Sequence, residues 1–210
     1  MAEAWGLVVP VKLLALAKTR LSAYGDAARA ELALAFASDV LEAALDCPEV
    51  HRVVVVTDDP RAARALTRPG CEVVRDLPGA GLNRALEHGA DLLRARSEGL
   101  AVAALAADLP GLRAADLGDA LRVVRDRAFV ADAAGTGTTL LAARGGHPLH
   151  PAYGPDSRRR HLASGAVELA APPALRQDVD TPQDLGAAIE LGVGRHTAAA
   201  VAGLALPRPA

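Results

Sequence analysis

Apolar residues fall along this chain in short runs, set between longer stretches of helical period. The runs are "WGLVVPV" (5–11), "RVVVVTDD" (52–59), "CEVVRD" (71–76) and "LAVAALAADLP" (100–110). They are continuous rather than alternating, which predicts strands buried on both faces. The fourth is the most apolar and reads as central. Residues 26–46 repeat Leu32, Phe36 and Val40 at intervals of four, with Leu41 and Leu45 extending the face, which predicts a helix. A short helix follows Pro60 over 61–67. Further helices are predicted over 81–96, with Leu82, Leu86, Leu92 and Leu93 inward, and over 114–126. Strands alternating with helices imply a parallel sheet with right-handed crossovers.

The pattern changes after "AFVADAAGTGTTLLAARGG". Short strands, a turn, a helix near 157–164 and a last helix from 182 follow. The fold class is therefore α/β: a mixed, mostly parallel sheet with helices on both faces and a small antiparallel insertion. Residues 1–194 read as one domain. Residues 195–210 are rich in Ala, Gly and Pro and read as a tail open to disorder.

Composition narrows the classes. The chain has 210 residues, 51% of them hydrophobic but only 2% aromatic, so its core must be aliphatic. The net charge is -2 and no long basic stripe is present, which argues against nucleic acid; Arg158-Arg159-Arg160 reads as a solvated helix face. Cys47 and Cys71 are isolated and lack metal or redox spacing. His147 and His150 sit in a Gly/Pro-rich turn, and no HExxH pattern marks a zinc site. No apolar run reaches the roughly 18 residues of a membrane helix. Lys12 and Lys18 interrupt any secretory-type N-terminus. A soluble cytoplasmic protein is expected.

Those two lysines stand out, because they are the only ones among 23 basic residues. Ligands of open α/β sheets bind beyond the carboxyl ends of the strands. The loop after the first strand carries Lys12, Lys18 and Arg20. It has neither GxxxxGK[ST] nor GxGxxG. Three cations there suit a polyphosphate or are solvated loop charges, and position alone leaves both readings open. Asp108 ends the most apolar strand, where a carboxylate needs a cation, a metal or a capping role. Asp178 and Asp180 in "DVDTPQDL" would point the same way from an extended segment. Thr181 caps the next helix with Pro182 first, and Asp184 has its explanation in that cap. Asp108, Asp178 and Asp180 are then hard-oxygen donors of the kind Mg²⁺ prefers.

Three further motifs have two readings each. "GTGTT" (135–139) is an anion-binding nest or a Gly-rich hairpin connection. Asp156 or Ser157 opens a helix and either binds an anion or caps it. Asn83 could read a base edge or cap a helix.

Taken in order, these pieces resemble the guanylyltransferase family of coenzyme F420 biosynthesis. The matching residues are Pro10-Val11-Lys12, Ala17-Lys18-Thr19-Arg20-Leu21, Gly81-Leu82-Asn83 with Ala85-Leu86, and Asp108-Leu109-Pro110. Next come Gly135-Thr136-Gly137-Thr138-Thr139, then Gly154 with Ser157 and His161, and Asp178-Val179-Asp180-Thr181. The resemblance spans about residues 6–190. Each motif is weak alone; their order and spacing are specific together. Tyr153 departs from it, standing where phenylalanine is expected.

The resemblance implies a Rossmann-type, GT-A-like nucleotidyltransferase fold. It implies transfer of GMP from GTP to phosphoenolpyruvate, giving enolpyruvyl-diphospho-5'-guanosine and pyrophosphate, or the same transfer to 2-phospho-L-lactate. By carry-over, Thr139, Gly154 and Ser157 hold phosphoenolpyruvate and Asp108, Asp178 and Asp180 hold Mg²⁺. Lys12, Lys18 and Arg20 would neutralise the triphosphate, with Asn83 toward the nucleotide. The expected partners are the two substrates and a downstream F420 transferase, for a monomer or homodimer. The rival readings are another GT-A-like transferase, handling a sugar phosphate or a cofactor with CTP, and a non-catalytic GTP-sensing module.

Overall fold

A computed structural model of the chain describes residues 4–77, 79–97 and 99–204. Its strands are β1 (Trp5–Pro10), β2 (Val50–Val56), β3 (Cys71–Val74), β4 (Ala101–Leu105), β5 (Arg127–Ala131), β6 (Thr138–Ala143) and β7 (Val167–Glu168). They form one sheet in the order β3-β2-β1-β4-β6-β5-β7. β6 is antiparallel to both of its neighbours, β4 and β5, and the other pairings are parallel. The antiparallel insertion is thus a strand within the main sheet. All five residues of β4 are buried, as its unbroken apolar run predicts.

The helices are α1 (Asp26–Leu45), α2 (Pro60–Leu66), α3 (Leu82–Arg96), α4 (Ala114–Arg122), α5 (Ser157–Ala163), α6 (Pro173–Arg176), α7 (Pro182–Leu191) and α8 (Arg195–Ala202). Side chains alternate between sheet faces, so each strand feeds two cores. Leu7, Val9, Val53 and Val55 pack with α1, α2, α4 and α6 on one face. Val8, Val54, Val102 and Phe129 pack with Ala85, Leu86, Ala90 and Leu93 of α3 on the other.

The predicted stripe of α1 divides between two neighbours. Val40 and Leu41 face the sheet, whereas Leu32 and Phe36 join Leu21, Val179, Leu185 and Ala188 in an outer cluster. A helix covered on two sides carries apolar residues around most of its circumference. This outer cluster also corrects the expected tail. Residues 195–202 form α8, whose Ala200 and Val201, with Val193 just before the helix, pack against that cluster. Asp39 on α1 accepts the N–H groups of His196 and Thr197, both at 2.9 Å, and so caps α8 from outside that helix. Residues 205–210 of the expected tail lie outside the described residues. Among the described residues no helix is long and apolar enough to cross a membrane.

Candidate active site

The carboxyl ends of β1, β4 and β5 meet the amino end of reversed β6 at one sheet edge. A cavity of about 840 Å³ opens there. It gathers Lys12, Lys18 and Arg20 from the loop after β1, Asp108 after β4 and Asp132 after β5. Thr138, Gly154, Ser157, Asp178 and Asp180 also line it. Of the residues assigned a catalytic, binding or metal role from the sequence, Asn83 and Thr139 do not line it.

One rim is charged. The Lys18 ammonium donates to Asp108 Oδ2 and to Asp180 Oδ1, the latter at 2.8 Å. Arg20 lies 3.9 Å from the other oxygen of Asp180. Burial lowers the affinity of Lys18 for its proton, but Asp108 and Asp180 outweigh it and hold the group above the ordinary lysine range. Burial likewise raises Asp180, but Lys18, then Arg20 and Lys12, bring it below its usual value. Lys12 itself is exposed at the mouth. Lys18 adopts a left-handed backbone, φ 54 and ψ 44, uncommon for a residue with a Cβ. Leu21 fixes that kink: its N–H donates to Lys18 O at 2.8 Å and its side chain is fully buried in the outer cluster.

Asp178 is the uncompensated member of this rim. Burial, then Asp108, Asp132 and Asp180, push its carboxyl up to about 7, with Lys18 the main opposing influence. Asp184 is accounted for, as the sequence predicts: with Thr181 it forms a capping box on α7. Among the described residues, three potential metal-binding donor atoms lie within 4.8 Å of one another at Asp39, Glu42 and His196. Asp108, Asp178 and Asp180 share the cavity, but Lys18 stands between Asp108 and Asp180.

The opposite corner is neutral. Ser157 Oγ lies 3.1 Å from Thr138 Oγ1, which lies 2.9 Å from His161 Nδ1. Ala152 N–H donates to His161 Nε2 at 3.0 Å. Gly154 sits at φ +124, in a region that glycine tolerates and other residues rarely adopt. Asp156 follows in the left-handed region.

The geometry revises one expectation and bears on three motifs that the sequence left with two readings. Thr139 does not face the cavity: it is 1% exposed, and its hydroxyl donates to Leu175 O at 2.7 Å. Period-two alternation turns Thr138 to the cavity instead. Asn83 is spent on the backbone of Tyr153, donating to its O at 3.1 Å and accepting from its N at 2.8 Å. It clamps the loop before Gly154 rather than reading a base. The GTG nest is filled from within, because Asp132 accepts the N–H groups of Thr136 and Gly137 at 2.9 and 2.8 Å. A Cβ on Gly137 would collide with the Asp132 carboxylate, so a larger residue here would displace the group that fills the nest. At the start of α5, the N–H groups of Ser157 and Arg158 already donate to Gly154 O and Thr136 O.

Two residues were given no site role from the sequence, although His161 was among those carrying the resemblance. Asp132 carries the same signal as Asp108, an acid directly after a buried strand. His161 lies one turn after Ser157. Tyr153, the departure from the expected phenylalanine, donates its hydroxyl to Ala104 O at 3.3 Å.

Known proteins share this sequence and this fold. The family model described as "Guanylyl transferase CofC like" matches residues 6–204. A phosphoenolpyruvate guanylyltransferase from Streptomyces scabiei is 58% identical over 97% of this chain and 98% of its own. One from Thermomonospora curvata is 54% identical over 94% and 89%. Among solved structures, CMP:2-keto-3-deoxy-manno-octonic acid synthetase complexed with CTP covers 90% of this chain and 97% of its own, with a TM-score of 0.57 at 17% identity. That likeness is one of fold, and it bears out the expected nucleotidyltransferase architecture.

Proposed function

The chain belongs to the CofC-like guanylyl transferase family, and from that premise we propose that it transfers GMP from GTP to phosphoenolpyruvate. The products are enolpyruvyl-diphospho-5'-guanosine and pyrophosphate, in the cytoplasmic biosynthesis of coenzyme F420. The observation that carries this reading is the 58% full-length identity to a phosphoenolpyruvate guanylyltransferase. The cavity supports it, with cations on one rim and neutral hydroxyls on the other.

A phosphate oxygen of phosphoenolpyruvate attacks the α-phosphorus of GTP in line. The new P–O bond forms as the bond to the β-phosphate bridge breaks, and pyrophosphate carries away the electron pair. The nucleophile is already ionised, so no general base is required, and positioning and charge neutralisation do the catalysis. Lys12, Lys18 and Arg20 neutralise the triphosphate and the departing pyrophosphate. Gly154, Thr138 and Ser157 orient the acid through neutral donors.

The donor set suits a divalent cation in its chemistry, although its oxygens are not gathered as closely as the donors of Asp39, Glu42 and His196. Asp108, Asp178 and Asp180 are all hard-oxygen groups, and Asp178 is crowded by acids, with no cation paired to it among the described residues. These three would hold Mg²⁺, which when bound supplies positive charge to the phosphate oxygens. Lys18, which pairs with Asp108 and Asp180, would supply positive charge beside the phosphates.

Incubation with GTP, phosphoenolpyruvate and Mg²⁺ should release pyrophosphate and a guanosine diphosphodiester identifiable by mass spectrometry. Comparing kcat/KM with 2-phospho-L-lactate identifies the preferred acid. GTP binding by calorimetry without product from either acid would replace the enzyme reading with that of a nucleotide sensor.

A further inference from the structure

His161 is fully buried and lies behind the cavity rather than in its lining. Its ring packs edge-on to Tyr153, with centroids 5.2 Å apart, and tilted against Phe129 at 5.7 Å. The partners of its two nitrogens assign its tautomer. A backbone N–H can only donate, so Nε2, which faces Ala152 N–H at 3.0 Å, carries the lone pair. The proton of the neutral ring is therefore on Nδ1, which donates to Thr138 Oγ1 at 2.9 Å.

That assignment sets the polarity of the hydroxyl pair in front of it. Thr138 and Ser157 together hold two hydroxyl hydrogens, and one spans the 3.1 Å between their oxygens. With the imidazole donating, the second hydrogen is surplus and has the cavity as its outlet. With a lone pair on Nδ1, Thr138 would donate to the ring and Ser157 to Thr138. Both hydrogens would then be consumed, and the cavity would meet only acceptors. An anionic oxygen needs the first arrangement.

We propose that His161 is a positioning residue: as the Nδ1–H tautomer, it makes the Thr138–Ser157 pair a single-hydrogen donor to an anionic oxygen of the three-carbon acid. This rests on the reading that the acid binds in this corner. Burial, with Arg127 on β5 and Arg160 on α5 itself, holds the imidazole down to about 4, so the ring stays neutral near neutral pH.

The first test needs no substrate. Long-range proton–nitrogen correlation NMR of the full chain, with ¹⁵N-labelled histidine, should show His161 protonated on Nδ1 and not titrating between about pH 6 and 8. An Nε2–H tautomer, or titration in that range, overturns the proposal. The second test is kinetic. His161→Asn can keep an N–H donor near the Nδ1 position, whereas His161→Leu cannot. The KM for phosphoenolpyruvate should rise about tenfold to a hundredfold in His161→Leu, and clearly less in His161→Asn, with the KM for GTP within about twofold in both. Equal losses in the two variants, or a parallel rise for GTP, would assign His161 a packing role only. If His161→Leu fails to fold, the wild-type tautomer still decides the matter. An inactive wild type would count against the functional reading, whereas a wrong tautomer counts against the relay alone.

Discussion

The two rims of the cavity solve the problem of holding anions in opposite ways. The rim of Lys18, Asp108, Asp178 and Asp180 is charged, partly open and unevenly paired: Lys18 serves two acids, while among the described residues no cation pairs with Asp178. The corner of Thr138, Ser157 and His161 is neutral and buried, with each side chain hydrogen-bonded. The first keeps electrostatic stress that a ligand can relieve, whereas the second is organised before any ligand arrives. The charged rim should therefore tolerate mutation in stability but not in turnover. The neutral corner should respond in stability and in affinity for the acid.

The sharpest way to break this contrast is Asp178→Asn. Turnover should fall about 10²- to 10³-fold, while the melting temperature rises by a few degrees because a crowded carboxylate is gone. Steady-state kinetics and calorimetry on the same sample check both, and unchanged turnover would remove Asp178 from the chemistry.

Acidification probes the neutral corner. His161 ionises at about 4 when folded but near 6.5 in an unfolded chain. Between those values the unfolded state binds more protons. The stability from His161 is therefore present above about pH 6.5 and is lost as pH falls through 4, up to about 3 kcal/mol. Urea midpoints at pH 7 and near pH 4.5 should show that drop, and a His161→Asn variant should flatten it.

Asn83→Ala comes next. Loss of the two bonds to Tyr153 should cost about 1–2 kcal/mol. It should raise the KM for phosphoenolpyruvate about three- to tenfold while sparing GTP. A rise confined to GTP would restore Asn83 to the nucleotide side. Tyr153→Phe should do least: it loses a long bond of 3.3 Å to Ala104 O, costs under about 1 kcal/mol, and leaves both KM values within about twofold.

The strands and main helices were legible because continuous apolar runs and four-residue periods report local geometry. The acids were legible because carboxylates after buried strands demand a reason. Missed details depended on what a side chain meets across the fold. Nothing local tells Thr138 from Thr139; the register of β6 against β4 and β5 decides it. Asn83 and Tyr153 are 70 positions apart, so their clamp has no local signature. The GTG loop shows glycines suited to an anion but not that Asp132 supplies it. Ala-rich α8 is weakly amphipathic in sequence, and its anchor is a carboxylate on α1.

That anchor has a consequence for how the protein is made. Asp39 and the His196 amide it caps are 157 positions apart. At about 5–20 residues per second, α1 waits roughly 8–30 s on the ribosome before its cap partner is synthesised. Until then a carboxylate destined for burial stays in water and disfavours premature docking of the outer face of α1. Nascent chains stalled before α8 should therefore remain sensitive to protease along α1, which limited proteolysis of such chains would check.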